Sequence, residues 1–339
     1  MVNIARLLSG NDAVVEGALA AGLDFFSAYP ITPATEIMES IAKTNVKFIQ
    51  GEDEIAAITM CIGASLAGSK AMTATSGPGF SLKQESIGYA FKIGVPLLIV
   101  CCQRVGPSTG MATFGAQGDI LQAKHGSHGD YVNIVITPNS VEECYKYTIE
   151  AINASEESHS PVILLVDGLI AHMHETVILE GLKSAIKKRS LEPLGSGKRH
   201  FTGLTSKGNT PKDKDPLIYR EWYNARKKEI LDAAKNYEFY EYIQNPNSDT
   251  LLVAYGISSR VILSLRNRYS IFRPIRLFPI IEELEGIAKK YHKIVIIEMN
   301  DGQYRDEIQS FLKREVRLIS QLGGKISLAE IQNELSRID

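Results

Sequence analysis

The 339-residue chain is expected to fold as an α/β protein built on a parallel sheet, followed by a smaller α/β domain. Three observations point there. Apolar runs of strand length alternate with helix-like stretches through the first half of the chain. Several of these runs, "VPLLIVCC" at 95–102 and "PVILLVD" at 161–167 among them, are apolar throughout, as strands covered on both faces are. The alternation lapses over 176–245 and then resumes.

Strands are expected at 24–29, 46–50, 70–75, 95–102, 132–137 and 161–167, with helices at 11–21, 34–44, 54–67, 84–92 and 141–157. In "YPITPATE" (29–36), Pro30 ends the first strand, because proline cannot donate to a ladder. Thr32 suits a helix cap and Pro33 a first helical turn, and such a start can hold an anion. The helix at 141 opens on "SVEE", with Ser140 and Glu143 at capping-box spacing. Residues 176–245 are rich in Lys, Glu, Gly and Pro and read as a long excursion ending in a charged helix at 219–235. Its basic cluster "KSAIKKRS" (183–190) reads as solvated surface. Further on come a strand at 249–256, a helix at 258–267 and strands at 275–280 and 293–300. A helix at 303–314, a short strand at 316–322 and a helix opened by Ser327 and Glu330 complete the chain. The division expected is 1–178 for the first domain, 179–245 for linker and charged helix, and 246–339 for the second.

Composition narrows the function. Acidic residues number 39 and basic ones 37, for a net charge of −2. That balance speaks against a dedicated nucleic-acid binder. No apolar run reaches the roughly 18 residues of a membrane span, and the N-terminus lacks the long apolar core of a secretory signal. A cytoplasmic protein is expected. Cys61, Cys101, Cys102 and Cys144 fit neither a metal nor a cluster spacing and read as buried free thiols. Cys101 and Cys102, neighbours on a strand, should face opposite sides.

Ligands of open parallel sheets bind beyond the carboxyl ends of the strands. Those positions hold "YPITP", then "GEDE" with Glu52, Asp53 and Glu54, then "SGPGFS" from Ser76. "QRVGPSTG" follows with Arg104, Ser108 and Thr109, and "AKHGSHGDY" with His125 and His128. Each has an ordinary reading: acids complement a helix start, and "SGPG" lacks both the P-loop lysine and the GxGxxG spacing. No metal site is expected from the two histidines.

Taken in order, "AGLDFFSAYPITPATEI", "GEDEIAAITMCIGASLAGSKAMTATSGPGFSL", "VPLLIVCCQRVGPSTG" and "GSHGDY" resemble the alpha subunit of 2-oxoacid:ferredoxin oxidoreductases, nearest to those acting on 2-oxoglutarate. The similarity covers about the first 180 residues and returns at "LLVAYGISSR", "VIIEMNDGQ" and "QLGGKI". The resemblance implies a pyrimidine-binding domain of a thiamine diphosphate enzyme, followed by a transketolase C-terminal-like domain. It assigns Glu54, fourteen residues before Gly68, to the carboxylate that bonds N1′ of the aminopyrimidine and favours the imino form. Thr32 and Arg104, with Ser108 and Thr109, would bind substrate. Tyr29, Pro30, Ser76, Gly77, Pro78 and Gly79 would contact the cofactor. The expected reaction is oxidative decarboxylation of a 2-oxoacid with CoA, giving acyl-CoA, CO2 and reduced ferredoxin. 2-Oxoisovalerate or pyruvate are the alternative substrates, and a non-catalytic binding or regulatory subunit is the alternative of another class. The sequence has no GDG…N motif for diphosphate and Mg2+ and no cysteine set for an iron–sulfur cluster. A beta subunit is therefore expected to bring both, alone or with ferredoxin-like chains. The segment 180–215 departs from the family pattern and is assigned no role.

Overall fold

The computed structural model describes residues 5–179, 182, 184–197 and 200–338. β1 (Arg6–Ser9) leads into α1 (Gly10–Ala20), β2 (Phe25–Ala28), α2 (Thr35–Ile41), β3 (Lys47–Gln50) and α3 (Glu54–Leu66). Then come β4 (Ala71–Thr75), α4 (Gly77–Ile93), the paired strands β5 (Leu97–Val105) and β6 (Met111–Gly115), and α5 (Ile120–His125). β7 (Ile134–Ile136), α6 (Val141–Ser158), β8 (Pro161–Asp167), α7 (Gly168–His172) and β9 (His174–Val177) close the first half. The excursion carries β10 (Ser206–Lys207), β11 (Thr210–Pro211) and α8 (Pro216–Ala234). The remainder is β12 (Tyr240–Ile243), β13 (Thr250–Val253), α9 (Gly256–Ile262), β14 (Ser270–Pro274) and β15 (Arg276–Phe278). After them follow α10 (Glu283–Ala288), β16 (Lys293–Glu298), α11 (Gln303–Leu312), β17 (Arg317–Ser320) and α12 (Leu328–Ile338).

The larger sheet runs β15-β7-β8-β5-β4-β2-β3, with β6 paired to β5. It is parallel except at β15 and β6. The smaller runs β12-β14-β13-β16-β17 and is parallel except at β12. Strand periodicity explains why both faces of the larger sheet are apolar. Leu98, Val100 and Cys102 enter one core, with α1, α2 and α6, while Leu97, Ile99 and Cys101 enter the other, with α3, α4 and α5. Cys101 and Cys102 do face opposite sides, and all four thiols are free and buried.

Several expectations shift. Thr32 does not cap a helix: α2 starts at Thr35, its N-cap is Ala34 with no side-chain bond, and the Thr32–Pro33 peptide is cis. The turn at Thr32–Ala34 places Pro33 before the first helical turn instead of in it. α4 begins seven residues before the expected 84, so "GPG" is helix and not loop. Proline is tolerated there because its missing N–H falls among the unpaired first-turn donors. β14 was not foreseen, and β15, expected within the second domain, instead completes the larger sheet antiparallel to β7. The 183–190 cluster is not all solvated surface. Arg189 pairs with buried Glu156 and bonds the Ser65 carbonyl, and Lys187 pairs with Glu157. Lys183 of that cluster and the first four residues of the N-terminus lie outside the described residues.

Candidate active site

The larger sheet reverses direction at β2: β3 lies on one side of it and β4 on the other. A crevice therefore opens beyond the carboxyl ends of β2 and β4, with the ends of β3 and β5 beside it. Glu54 enters from the β3 end as the first residue of α3. Asp53 caps that helix, its Oδ1 accepting from the Ala56 N–H at 2.7 Å. Glu52 is exposed and Asp53 half-buried, whereas Glu54 is only 7% exposed. Burial thus separates Glu54 from its two acidic neighbours.

α4 supplies the facing wall. Its N-cap, Ser76, makes no side-chain cap bond, and its Oγ is buried without a partner among the described residues. Gly79 is required by close approach, since a Cβ there would lie 2.5 Å from Glu54 Oε1 and 2.3 Å from Thr75 Oγ1. The glycine of "SGPG" thus makes room for the carboxylate.

Arg104 stands within β5, not in the loop after it, and is 8% exposed. Its Nη1 donates to the Thr32 carbonyl at 2.8 Å, and its Nε is buried without a partner among the described residues. Thr32 itself is exposed. Beyond Arg104, the turn between β5 and β6 exposes Ser108, at φ +56°, and Thr109.

A cleft of about 700 Å³ joins the first sheet's rim to the second unit, lined by Gly77, Pro78, Arg104, Ser108, Asp119 and Asn300 among others. It brings together Gly77, Pro78, Arg104 and Ser108. Glu54, Ser76 and Gly79 do not line it, and Thr32 is linked to it through Arg104. Tyr29, Pro30 and Thr109 do not line it. His125 stacks on Tyr131 at 4.4 Å between ring centres.

Sequence reasoning missed Asp119 and the polar joint beneath it. Asp119 follows β6, and its Oδ1 would lie 3.2 Å from a Cβ on Gly77. Burial pushes its carboxyl up to about 6, against the pull of the Cys101 thiol and Arg104. Asn300 donates to the Gln117 carbonyl at 2.7 Å, and Gln117 Nε2 donates to the Tyr255 carbonyl at 3.0 Å. Asp167 Oδ2 accepts the Ile257 N–H at 2.8 Å. These bonds tie the two units together under the cleft. The available signal was placement, since Asp119 sits in "AQGDI" between a strand and a helix and Asp167 ends an apolar strand.

A doubly wound parallel sheet with a buried carboxylate at a helix start, packed on a second α/β unit, is the fold of transketolase-like thiamine diphosphate enzymes. A split-gene transketolase structure shares the fold alone, at TM-score 0.57 and 13% identity over 97% of this chain and 95% of that one. Residues 16–242 match the pyruvate flavodoxin/ferredoxin oxidoreductase, thiamine diphosphate-binding family, and the chain belongs to it. It is similar to 2-oxoglutarate synthase subunit KorA of Methanocaldococcus jannaschii, at 38% identity over 96% of this chain and 97% of that protein. KorA of Archaeoglobus fulgidus is 39% identical over 95% of each. Ketoisovalerate oxidoreductase subunit VorB of Methanothermobacter marburgensis is 36% identical over 98% and 97%. A solved structure, the Magnetococcus marinus 2-oxoglutarate:ferredoxin oxidoreductase with 2-oxoglutarate, coenzyme A and succinyl-CoA bound, superposes at TM-score 0.92 and 29% identity. That match takes in 98% of this chain and 65% of the longer one. Among the described residues no helix is long and apolar enough to cross a membrane.

Proposed function

We propose that this chain is the pyrimidine-binding subunit of a 2-oxoacid:ferredoxin oxidoreductase acting on 2-oxoglutarate, with residues 1–178 as the pyrimidine-binding domain. The observation that carries the reading is Glu54: it alone in its acidic run is buried, and a glycine across from it leaves its carboxylate room. The orphaned Ser76 Oγ and the cradle at Gly79 fit an aromatic, nitrogen-bearing ring, so the residues present suit thiamine diphosphate. When bound, the cofactor supplies a carbon nucleophile for the 2-oxo carbon and an electron sink as CO2 leaves. Glu54 holds the proton at the pyrimidine N1′. Arg104 faces the carboxylate common to 2-oxoacids, with its unpartnered Nε as a spare donor. Ser108 and Thr109, on the adjacent turn, order the substrate's far end. Tyr29, Pro30, Gly77 and Pro78 frame the cofactor side. Diphosphate, Mg2+ and the iron–sulfur cluster belong to a beta subunit, with CoA and ferredoxin as further partners in the cytoplasm. A branched-chain 2-oxoacid is the second reading, favoured by the VorB similarity. Assaying CoA-dependent reduction of ferredoxin by the assembled complex with 2-oxoglutarate, 2-oxoisovalerate and pyruvate decides between them. A complex that oxidises none of the three sinks the enzymatic reading.

Two results are expected at once. The isolated chain should bind thiamine diphosphate weakly or not at all, because it lacks the diphosphate motif. Micromolar binding by calorimetry with Mg2+ present refutes that. Gly79→Ala should press on Glu54 and Thr75, lowering the complex's cofactor affinity about tenfold and its melting temperature by a few degrees. Wild-type affinity in this variant removes Gly79 from the site.

A further inference from the structure

α4 turns one face to the start of α3. Gly79 and Lys83, one helical turn apart, share that face. Lys83 is 0% exposed. Its Nζ donates to the Glu54 carbonyl at 2.9 Å and to Thr73 Oγ1, on β4, at 3.2 Å. A fully buried ammonium loses its hydration, so an apolar side chain of similar length would fill the space at lower cost. Burial pushes the Lys83 pKa down to about 8, with Cys61, Glu54 and Asp53 pulling the other way. The Cys61 thiol is itself pushed up to about 12 by burial and stays neutral at working pH, so it is no counter-ion. Asp53 is engaged in capping α3. Lys83 meets Glu54 at the backbone carbonyl and not at the carboxylate, and among the described residues no other lysine or arginine is shown bonded to that carbonyl.

We propose that Lys83 is the positioning residue for Glu54, fixing the first turn of α3 by tying the Glu54 carbonyl to Thr73 on β4. A protonated ammonium makes a charge-assisted bond to that carbonyl, so the turn that carries the carboxylate is held most firmly while Lys83 keeps its proton. This rests on the reading of Glu54 as the group that bonds the cofactor.

The test is Lys83→Met in the assembled complex. Proton–deuterium exchange at C2 of bound thiamine diphosphate should slow roughly ten- to hundredfold at pH 7. In the wild type the exchange should decline as pH rises through about 8, where Lys83 loses its proton. That decline should be missing in Lys83→Met. Stability should respond differently. The folded pKa lies below the ordinary 10.5, so the unfolded chain binds more protons between about 8 and 10.5. Wild-type stability therefore rises with pH across that window relative to Lys83→Met, which melts at or above wild type at pH 7. Exchange and pH profile matching wild type in Lys83→Met overturn the proposal, as does a melting gap that ignores pH. Glu54→Gln, run in parallel, separates the two readings. If it too exchanges normally, the Glu54 assignment fails; if it is slow while Lys83→Met is normal, only the role of Lys83 fails. Should Lys83→Met not assemble, the wild-type profile decides, since exchange that stays flat through pH 8 rules the charge out.

Discussion

Glu54→Gln should leave the complex assembled while slowing proton–deuterium exchange at C2 of bound thiamine diphosphate by about 10²–10⁴-fold, the range of a lost acid–base group. The amide nearly matches the carboxylate in shape, so the contacts at Gly79 and the Lys83 bond to the backbone carbonyl survive. What is lost is the negative charge that keeps a proton at N1′. The melting temperature should move little. Glu52→Gln is the control. Glu52 is exposed, and its substitution should leave exchange close to wild type. Exchange at the wild-type rate in Glu54→Gln means the carboxylate is another one.

Arg104→Ala should damage substrate use and spare cofactor binding. A lost charge-assisted hydrogen bond costs about 1.5–3 kcal/mol, or roughly ten- to more than a hundredfold in kcat/KM. Among the described residues the guanidinium has no acid as hydrogen-bond partner; it holds the Thr32 carbonyl, and its Nε has no partner there. Asp119 feels its charge, so a structural role would show as a fall in melting temperature with KM unchanged. Thr32→Val should cost less, about 0.5–1.5 kcal/mol, since only a neutral hydroxyl is removed. Steady-state kinetics with thermal melts on the reconstituted complex separate the two roles. A normal kcat and KM in Arg104→Ala move the carboxylate clamp elsewhere.

The strands were readable because burial on both faces leaves little room for polar residues; in β5 and β8 these come only at the carboxyl ends, as Gln103, Arg104 and Asp167. The sequence offered Glu52, Asp53 and Glu54 together at a helix start, the resemblance pointed to Glu54, and burial is what sets it apart in the fold. Less visible was anything set by contact between distant segments. Gly79 reads as a loop residue until Glu54 is seen across from it. Gln117 and Asn300 are ordinary polar residues in sequence and become a joint only where two units meet. Thr32 misled because threonine before proline has the composition of a cap, while the helix waits until Thr35. Lys83 carries no local signal at all, since a lysine at a helical position is usually solvated.

β15 ties the chain's biogenesis to its architecture. Residues 276–278 form the outermost strand of a sheet whose other members all lie before residue 137 or within 161–167. During synthesis the first unit leaves the ribosome with β7 as a bare edge, and more than a hundred residues must follow before that edge is covered. Chain termination in that interval leaves the backbone edge of β7 unpaired, while Ile134, Val135 and Ile136 belong to cores on the two faces of the sheet. The late pairing makes synthesis through residue 278 a condition for closing the edge of the first sheet, so the two halves of the chain are woven together and not merely strung in series.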